Sequence, residues 1–154
     1  MTEQPVRLTS DVVAEIQQHA RETYPDECCG FLVASEGGDD APEREIDRVE
    51  RAANNAHRSR ERRFVIGAEE LRGAEERARA SGATVVGFYH SHPDHPARPS
   101  QFDQEHAWPW YTYLVIAVTS AGPGPLGAFE LSADEATFHP VPLKMPATAR
   151  VADE

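Results

Sequence analysis

Residues 84–103 read TVVGFYHSHPDHPARPSQFD. The first five form a short, β-branched run with glycine in front and prolines behind, which is typical of a buried strand. Because side chains on a strand alternate between faces, His90 and His92 project to the same side, roughly 6.6 Å apart along the chain. Two neutral imidazoles so placed can bind one metal ion. Pro93 cannot donate to a sheet ladder, so we expect the pair at the strand's exposed end.

Asp103 is well placed to be a third ligand. Ser100 and Asp103 have the spacing of a capping box, so a helix beginning at Ser100 would carry Asp103 in its first turn. The proline-rich loop before it could fold this helix back over the strand end. Two histidines and one carboxylate leave a tetrahedral zinc ion a fourth position for water, as in catalytic sites. The alternative is a strand ending in two surface histidines, followed by a capped helix.

The string His90-Ser91-His92-Pro93, followed after six residues by Ser100 and then Asp103, resembles the signature of the JAMM metalloproteases. This family is also called the catalytically competent MPN or Mov34/PAD-1 type. Upstream, Glu27-Cys28-Cys29-Gly30 is similar to the family's glutamate segment at the start of a strand. The resemblance covers nearly the whole chain. It implies an α/β (α+β) fold, with a curved mixed β-sheet flanked by helices, similar to the cytidine deaminase architecture.

The same resemblance implies a site and an activity. Zn²⁺ would be bound by His90, His92 and Asp103. Glu27 would be the general acid–base group, a choice that the sequence alone does not make among its many glutamates. Ser100 would donate to the oxyanion, and it can also serve as a helix cap. The implied enzyme is a compact prokaryotic zinc metallopeptidase that hydrolyses a peptide or isopeptide bond. The bond follows the C-terminal Gly-Gly of a ubiquitin-like or sulfur-carrier protein.

Two other classes compete with this interpretation. A non-catalytic MPN-type scaffold usually lacks motif ligands, whereas this sequence retains all of them. A zinc-dependent deaminase on a related fold is expected to show His-x-Glu with Pro-Cys-x-x-Cys, and neither string occurs. The HExxH string of the zincins is also missing from the sequence.

Length and composition predict one domain. The 154 residues suffice for one hydrophobic core, which we place in residues 1–144, with a flexible tail at 145–154. The formal net charge of −11 argues against nonspecific nucleic-acid partners and acidic membrane surfaces. No run reaches the roughly 18 apolar residues of a membrane span, and no secretory signal is visible at the N-terminus. The cytoplasm is the expected compartment.

Hydrophobic periodicity predicts two long helices and a sheet of about six strands. The helices are expected at 8–24 and 68–80, the first with an apolar stripe and the second stopped by Gly82. Gly122 to Pro125 should form a turn, and 54–60 should be a polar loop. The strands are expected at 28–34, 45–53, 63–66, 84–88, 112–119, 128–131 and 136–139.

Several other cysteine, tryptophan and histidine side chains are expected to have mainly structural roles. The adjacent Cys28 and Cys29 should point to opposite faces of a strand and pack as small apolar groups without a disulfide. Trp108 and Trp110 are expected in the core or at a rim, with a substrate role left open. The remaining histidines should be surface residues or belong to loops, namely His19, His57, His95, His106 and His139.

Overall fold

A computed structural model describes residues 4–35, 42–54, 66–132, 134 and 137–146 of the chain. Three helices occur in these residues: α1 (Ser10–Thr23), α2 (Ala68–Ala80) and α3 (Gln101–Glu105). The strands of the same residues are β1 (Val6–Leu8), β2 (Cys29–Ala34), β3 (Arg44–Ile46), β4 (Arg48–Ala52), β5 (Thr84–Pro93), β6 (Thr112–Thr119), β7 (Gly122–Leu131), β8 (Phe138–Pro140) and β9 (Leu143–Lys144).

The central sheet has the strand order β4-β2-β5-β6-β7-β8 within the described residues. Strands β5 and β6 run parallel, while the other neighbouring pairs are antiparallel. A parallel pair needs a crossover connection, and here α3 lies within it. A second, parallel sheet has the order β3-β1-β9. The predicted mixed sheet flanked by helices is confirmed.

Helices α1 and α2 cover opposite faces of the central sheet. The apolar stripe of α1 packs with residues such as Leu32, Tyr89 and Leu114. The alanines of α2, by contrast, pack with Phe31, Phe88 and Tyr113, the sequence neighbours of those residues. Because consecutive side chains on a strand point to opposite faces, the two clusters form two separate cores. The site described below lies on the α2 face, to which Phe88 and His90 both project.

The structure corrects two predicted connections. The segment from Gly122 to Pro125 is the first half of β7 and not a turn; the turn lies at 120–121. This half pairs with β6 alone, so its two prolines do not interrupt a ladder on both sides. The strand predicted at 45–53 divides at Asp47 into β3 and β4, which belong to different sheets.

Other boundaries differ at the chain ends. Leu8 belongs to β1, so α1 begins at Ser10 with Thr9 as its N-cap. Strands β1 and β9 were not predicted, because runs of two or three residues carry no readable periodicity. Met145 packs against the core, and the predicted mobility of the tail stays a prediction.

Most of the strand predicted at 63–66 and of the loop at 54–60, with His57, lies outside the described residues. No described helix is long and apolar enough to cross a bilayer.

His19 corrects the prediction that it would be a surface residue. It lies on the buried face of α1, only 8% exposed, and its Nδ1 is 2.7 Å from the Tyr89 hydroxyl oxygen. The Tyr89 ring in turn covers Gly30, where an added Cβ would lie 2.3 Å from the ring. Burial lowers the pKa of His19 to about 4, with Arg51 adding to the effect and Glu15 and Glu22 opposing it.

The low pKa of His19 predicts a loss of stability in acid. The unfolded chain takes up a proton at His19 near its ordinary pKa of 6.5, whereas the folded chain resists it until about pH 4. The contribution of His19 is therefore complete above pH 6.5 and is lost as the pH falls toward 4. His19→Gln can still hydrogen-bond Tyr89 but does not titrate, so we expect its free energy of unfolding to fall less steeply.

Urea unfolding at pH values of about 7.5, 5.5 and 4.5, with chelator in every sample, measures this difference. The chelator removes any separate effect of metal release in acid. Parallel pH profiles for the two proteins would contradict the assignment of this acid sensitivity to His19.

Candidate metal centre

His90 lies on β5, an inner strand of the central sheet, three residues before that strand ends at Pro93. Its side chain projects to the α2 face. Cys29 of β2 is its partner on one side, and Val115 of β6 is its partner on the other. The side chain is almost completely buried, at 1% exposure. The prediction that this strand would carry the histidines to its end is confirmed, and the strand does stop at Pro93. The end of the strand is nevertheless not exposed at His90, so the alternative of a surface histidine is wrong for this residue.

Glu27 is held beside His90 by a local clamp between the start of β2 and β5. The Cys28 N–H donates to Ser91 Oγ at 2.8 Å, and the Ser91 N–H donates to the Cys28 carbonyl at 3.1 Å. The Glu27 side chain is 1% exposed. Burial raises the pKa of its carboxyl to about 8, Asp103 adds to the rise and His90 opposes it. A carboxyl group so tuned can both accept and release a proton near neutral pH.

Asp103 reaches the same point from α3. The predicted capping box is present: the Asp103 N–H donates to Ser100 Oγ at 3.1 Å, and the Ser100 N–H donates to Asp103 Oδ2 at 2.8 Å. Asp103 Oδ2 also lies 3.0 Å from His90 Nε2. Burial alone would raise the pKa of Asp103, but His90 and the Ser100 hydrogen bonds outweigh it and hold the pKa at about 2. The carboxylate is therefore ionised at neutral pH.

His92 lies next to this group with one ring nitrogen committed. Its Nδ1 is 2.9 Å from the carbonyl oxygen of Pro96 and must be the donor, because a carbonyl oxygen can only accept. The Nε2 atom of the neutral ring is then left with its lone pair, the form in which histidine binds a metal. Burial lowers the pKa of His92 and favours this neutral form. Its ring centroid is 6.2 Å from that of His90.

The described residues contain one group of side chains that could hold a metal ion, formed by Glu27, His90 and Asp103. Their ligand atoms all lie within 4.8 Å of one another, and His92 is outside this group. Both carboxylate oxygens of Glu27 and Oδ1 of Asp103 are buried without a hydrogen-bond partner among the described residues. Orphaned carboxylate oxygens are costly unless a cation or water satisfies them. Imidazole and carboxylate donors suit zinc, so the residues present fit that ion.

The loop after β5 is tied to the body of the domain through Asp94. The Tyr24 hydroxyl donates to the Asp94 carboxylate at 2.9 Å, and the Asp94 N–H donates to the Val118 carbonyl at 2.7 Å. Asp94 adopts a φ of 60°, an αL conformation that aspartate tolerates better than most residues. The loop then presents Pro96 to His92. The roles of Tyr24, Asp94 and Ser91 have no signal in the sequence, because only their spatial partners reveal them.

The two cysteines pack as predicted and form no disulfide. Burial raises the pKa of the Cys28 thiol to about 11 and that of Cys29 further still, so neither is a thiolate at neutral pH. His95 and His106 are exposed, as predicted, and His139 is half-buried. Trp108 is half-exposed at the rim of the α2-face core, where its ring lies next to Phe88. Trp110 is exposed and does not pack in the core or at this rim.

The fold is similar to that of known protein structures. A solution structure from Desulfitobacterium hafniense is similar with a TM-score of 0.76 and 29% identity, over 92% of each chain. One from Salinibacter ruber has a TM-score of 0.69 and 37% identity, also over 92% of each chain. A crystal structure of a JAB1/MPN domain protein from Archaeoglobus fulgidus has a TM-score of 0.56 over 94% of this chain and 100% of its own, at 15% identity. The fold is therefore of the JAB1/MPN type.

Residues 9–131 match the family described as prokaryotic homologues of the JAB domain, and the chain belongs to that family. The desampylase of Haloferax volcanii is 33% identical over 140 residues, which cover 88% of this chain and 94% of the relative. The CysO-cysteine peptidase of Mycobacterium tuberculosis is 36% identical over 96 residues, 62% of this chain and 61% of the relative. The JAMM-type resemblance found in the sequence is thereby confirmed.

The geometry leaves two possible ligand sets, and zinc content distinguishes them. We expect about one zinc per chain, bound by His90, His92 and Asp103. His92→Ala should then lose most of the metal, because two remaining ligands bind zinc poorly. Glu27→Gln should retain it. His95→Ala is the matched control, since it removes an exposed ring whose centroid lies 5.2 Å from that of His92.

Zinc is measured by plasma mass spectrometry after gel filtration, with circular dichroism to verify the fold of each variant. Full zinc in His92→Ala together with loss in Glu27→Gln would mean that the metal is bound by Glu27, His90 and Asp103.

Proposed function

We propose that this chain is a zinc-dependent metallopeptidase that hydrolyses the peptide or isopeptide bond after the C-terminal Gly-Gly of a ubiquitin-like or sulfur-carrier protein. The cytoplasm is its proposed compartment. The observation that carries the proposal is the buried cluster of Glu27, His90 and Asp103. Three of its carboxylate oxygens have no hydrogen-bond partner in the part of the chain that the structure describes, and buried polar atoms left in this way are typical of functional sites.

The residues of the cluster, together with the neighbouring His92, divide into ligands and an acid–base group. His90, His92 and Asp103 would hold the zinc ion, with Ser100 orienting Asp103 through the capping box. When bound, zinc lowers the pKa of a coordinated water and polarises a carbonyl group. Glu27 is then the group that takes a proton and returns it to the leaving amine. Burial raises the pKa of the Glu27 carboxyl, with Asp103 adding to the rise, and this supports its ability to hold a proton between the two transfers.

Ser100 can stabilise the negative oxygen that forms as the carbonyl is attacked. The capping box uses the Ser100 hydroxyl as an acceptor from the Asp103 N–H, so its own proton can be donated elsewhere. Capping and oxyanion binding are therefore compatible at one side chain. Ser100 is half-buried and hydrogen-bonded to Asp103 of the cluster, a position that supports this second role.

Relatives and burial together support the substrate class. Relatives named desampylase and CysO-cysteine peptidase favour conjugates of ubiquitin-like or sulfur-carrier proteins. Glu27 and His90 are buried, so the scissile bond must be brought to them by a thin segment of chain. Gly-Gly is the thinnest dipeptide available. The extended tail of a folded carrier could meet the site by pairing as an added strand, with main-chain hydrogen bonds supplying affinity.

Variants of Glu27 and Ser100 test the proposed roles. Glu27→Gln should keep its zinc and its fold while turnover falls by about 10²–10⁴, the usual contribution of a positioned acid–base group. Ser100→Ala should lower turnover by about 10²–10³ if the hydroxyl stabilises the oxyanion. As a cap only, it would cost about 1 kcal/mol of stability with turnover intact. Single-turnover rates and urea midpoints distinguish the two; wild-type rates in Glu27→Gln would assign the base to another group.

The substrate proposal is tested with one carrier in three forms. The zinc-loaded chain is offered a folded carrier extended beyond its C-terminal Gly-Gly, the same carrier with the second glycine changed to valine, and the free tail peptide. We expect cleavage directly after Gly-Gly in the first, with the other two roughly 10- to 100-fold slower. Mass spectrometry locates the cut, and Glu27→Gln controls for contaminating peptidases. Equal cleavage of all three forms would indicate a general peptidase instead.

A further inference from the structure

A cavity of about 190 Å³ adjoins the candidate metal centre. Its lining residues come from β5, β6, α3 and the segments next to α2 and α3. Most are apolar or aromatic, and the full set is Ile66, Phe88, Phe102, Asp103, His106, Trp108 and Tyr113. Asp103 belongs both to the cavity and to the metal-ligand cluster. Phe88 lies two residues before His90 on the same face of β5. The cavity therefore opens beside the groups that we propose act on the scissile bond.

The walls of this cavity are held in place by contacts among the lining residues themselves. The ring of Phe88 stacks on that of Tyr113, with centroids 5.5 Å apart. Tyr113 Oη accepts a hydrogen bond from the Trp108 N–H at 2.9 Å, which fixes the backbone of the half-exposed Trp108 at the rim. Two further lining residues, Phe102 and His106, stack with centroids 4.1 Å apart. Walls so supported form a preformed cavity, as small-ligand sites require.

The size and chemistry of the cavity limit what it can take. An apolar cavity of roughly 150 Å³ admits a benzene molecule, so the present one can hold an aliphatic or aromatic side chain. Asp103 stands in the wall and the chain carries a net charge of −11, which disfavours an acidic occupant. A polar amide could hydrogen-bond Asp103 or His106, but it would lose its hydration without compensation along the aliphatic and aromatic remainder of the walls.

We propose that this cavity is the subsite for the residue on the leaving side of the scissile bond, and that it selects an apolar side chain, aliphatic or aromatic. This inference rests on the proposed function. On the carrier side of the bond both residues are glycines and have no side chain to insert. A side-chain cavity at the reaction centre must therefore receive the residue that follows Gly-Gly. Among peptide-linked conjugates, selection by this cavity would favour those whose released residue is apolar.

The test uses one folded carrier ending in Gly-Gly-Leu, Gly-Gly-Asn or Gly-Gly-Ala, followed by the same short tail. Leucine and asparagine have nearly the same shape, so the pair separates polarity from size, and alanine leaves the cavity unfilled. With the zinc-loaded chain we expect kcat/KM for the leucine form to exceed the other two by roughly 10- to 100-fold. Trp108→Ala should reduce that preference to a few-fold, because it removes one apolar wall.

Trp110→Ala is the matched control. Trp110 is 80% exposed, lies two residues from Trp108 and does not line the cavity. This variant should retain the full preference for leucine. A preference that is unchanged in Trp108→Ala, or equal rates for the three carriers with the wild-type chain, would overturn the proposed subsite.

Direct binding separates failure of the subsite from failure of the proposed function. N-acetyl-leucinamide should shift the Trp108 indole N–H signal in the NMR spectrum, whereas N-acetyl-asparaginamide should not. The chain has two tryptophans, so Trp108→Ala and Trp110→Ala assign both signals. If no carrier is cut but the leucine compound shifts Trp108, the Gly-Gly function is wrong and the cavity still selects apolar side chains. If no carrier is cut and no signal shifts, both are wrong.

Discussion

The contact of 3.0 Å between His90 Nε2 and Asp103 Oδ2 joins the central strand to a helix of five residues. A helix this short is not stable alone, because the cost of nucleation exceeds the gain from so few hydrogen bonds. Its position depends on the capping box of Ser100 and Asp103 and on Gln104, whose Oε1 accepts from the Phe138 N–H at 2.8 Å. The same carboxylate thus orients the helix and forms the site, so local structure and candidate chemistry are coupled.

Burial of so many ionisable groups in one place must be offset by specific contacts. Buried charges are costly unless they are paired and hydrogen-bonded, and removal of one partner costs more than the pair contributes. The Asp103 carboxylate is compensated by His90 and Ser100, whereas the carboxyl oxygens of Glu27 receive no hydrogen bond from the described residues. The rise in the pKa of Glu27 is the direct consequence. A metal ion at this position would supply the missing compensation, which agrees with the family to which the chain belongs.

The α2 face of the sheet serves two purposes along one strand. Phe88 contributes to the aromatic cluster that stabilises the core and lines the cavity, while His90, the next residue on that face, contributes to the candidate metal site. The opposite face carries Tyr89, whose hydroxyl meets His19 beneath α1. Alternation along β5 therefore keeps the titratable His19–Tyr89 pair apart from the candidate metal site. Each face can be changed with limited effect on the other, since their packing clusters are distinct.

The sequence by itself determined the features that depend on local spacing. The His90 and His92 pair, the end of the strand at Pro93 and the capping box follow from strand alternation, a missing donor and helix-end chemistry, and all appear in the structure. Only tertiary structure decided which glutamate stands beside His90, that His19 is buried, that the strand predicted at 45–53 serves two sheets, and that aromatic residues from four segments enclose a cavity. These features join residues far apart in the chain. Their proximity is set by the packing of both faces of the sheet, which no local pattern records.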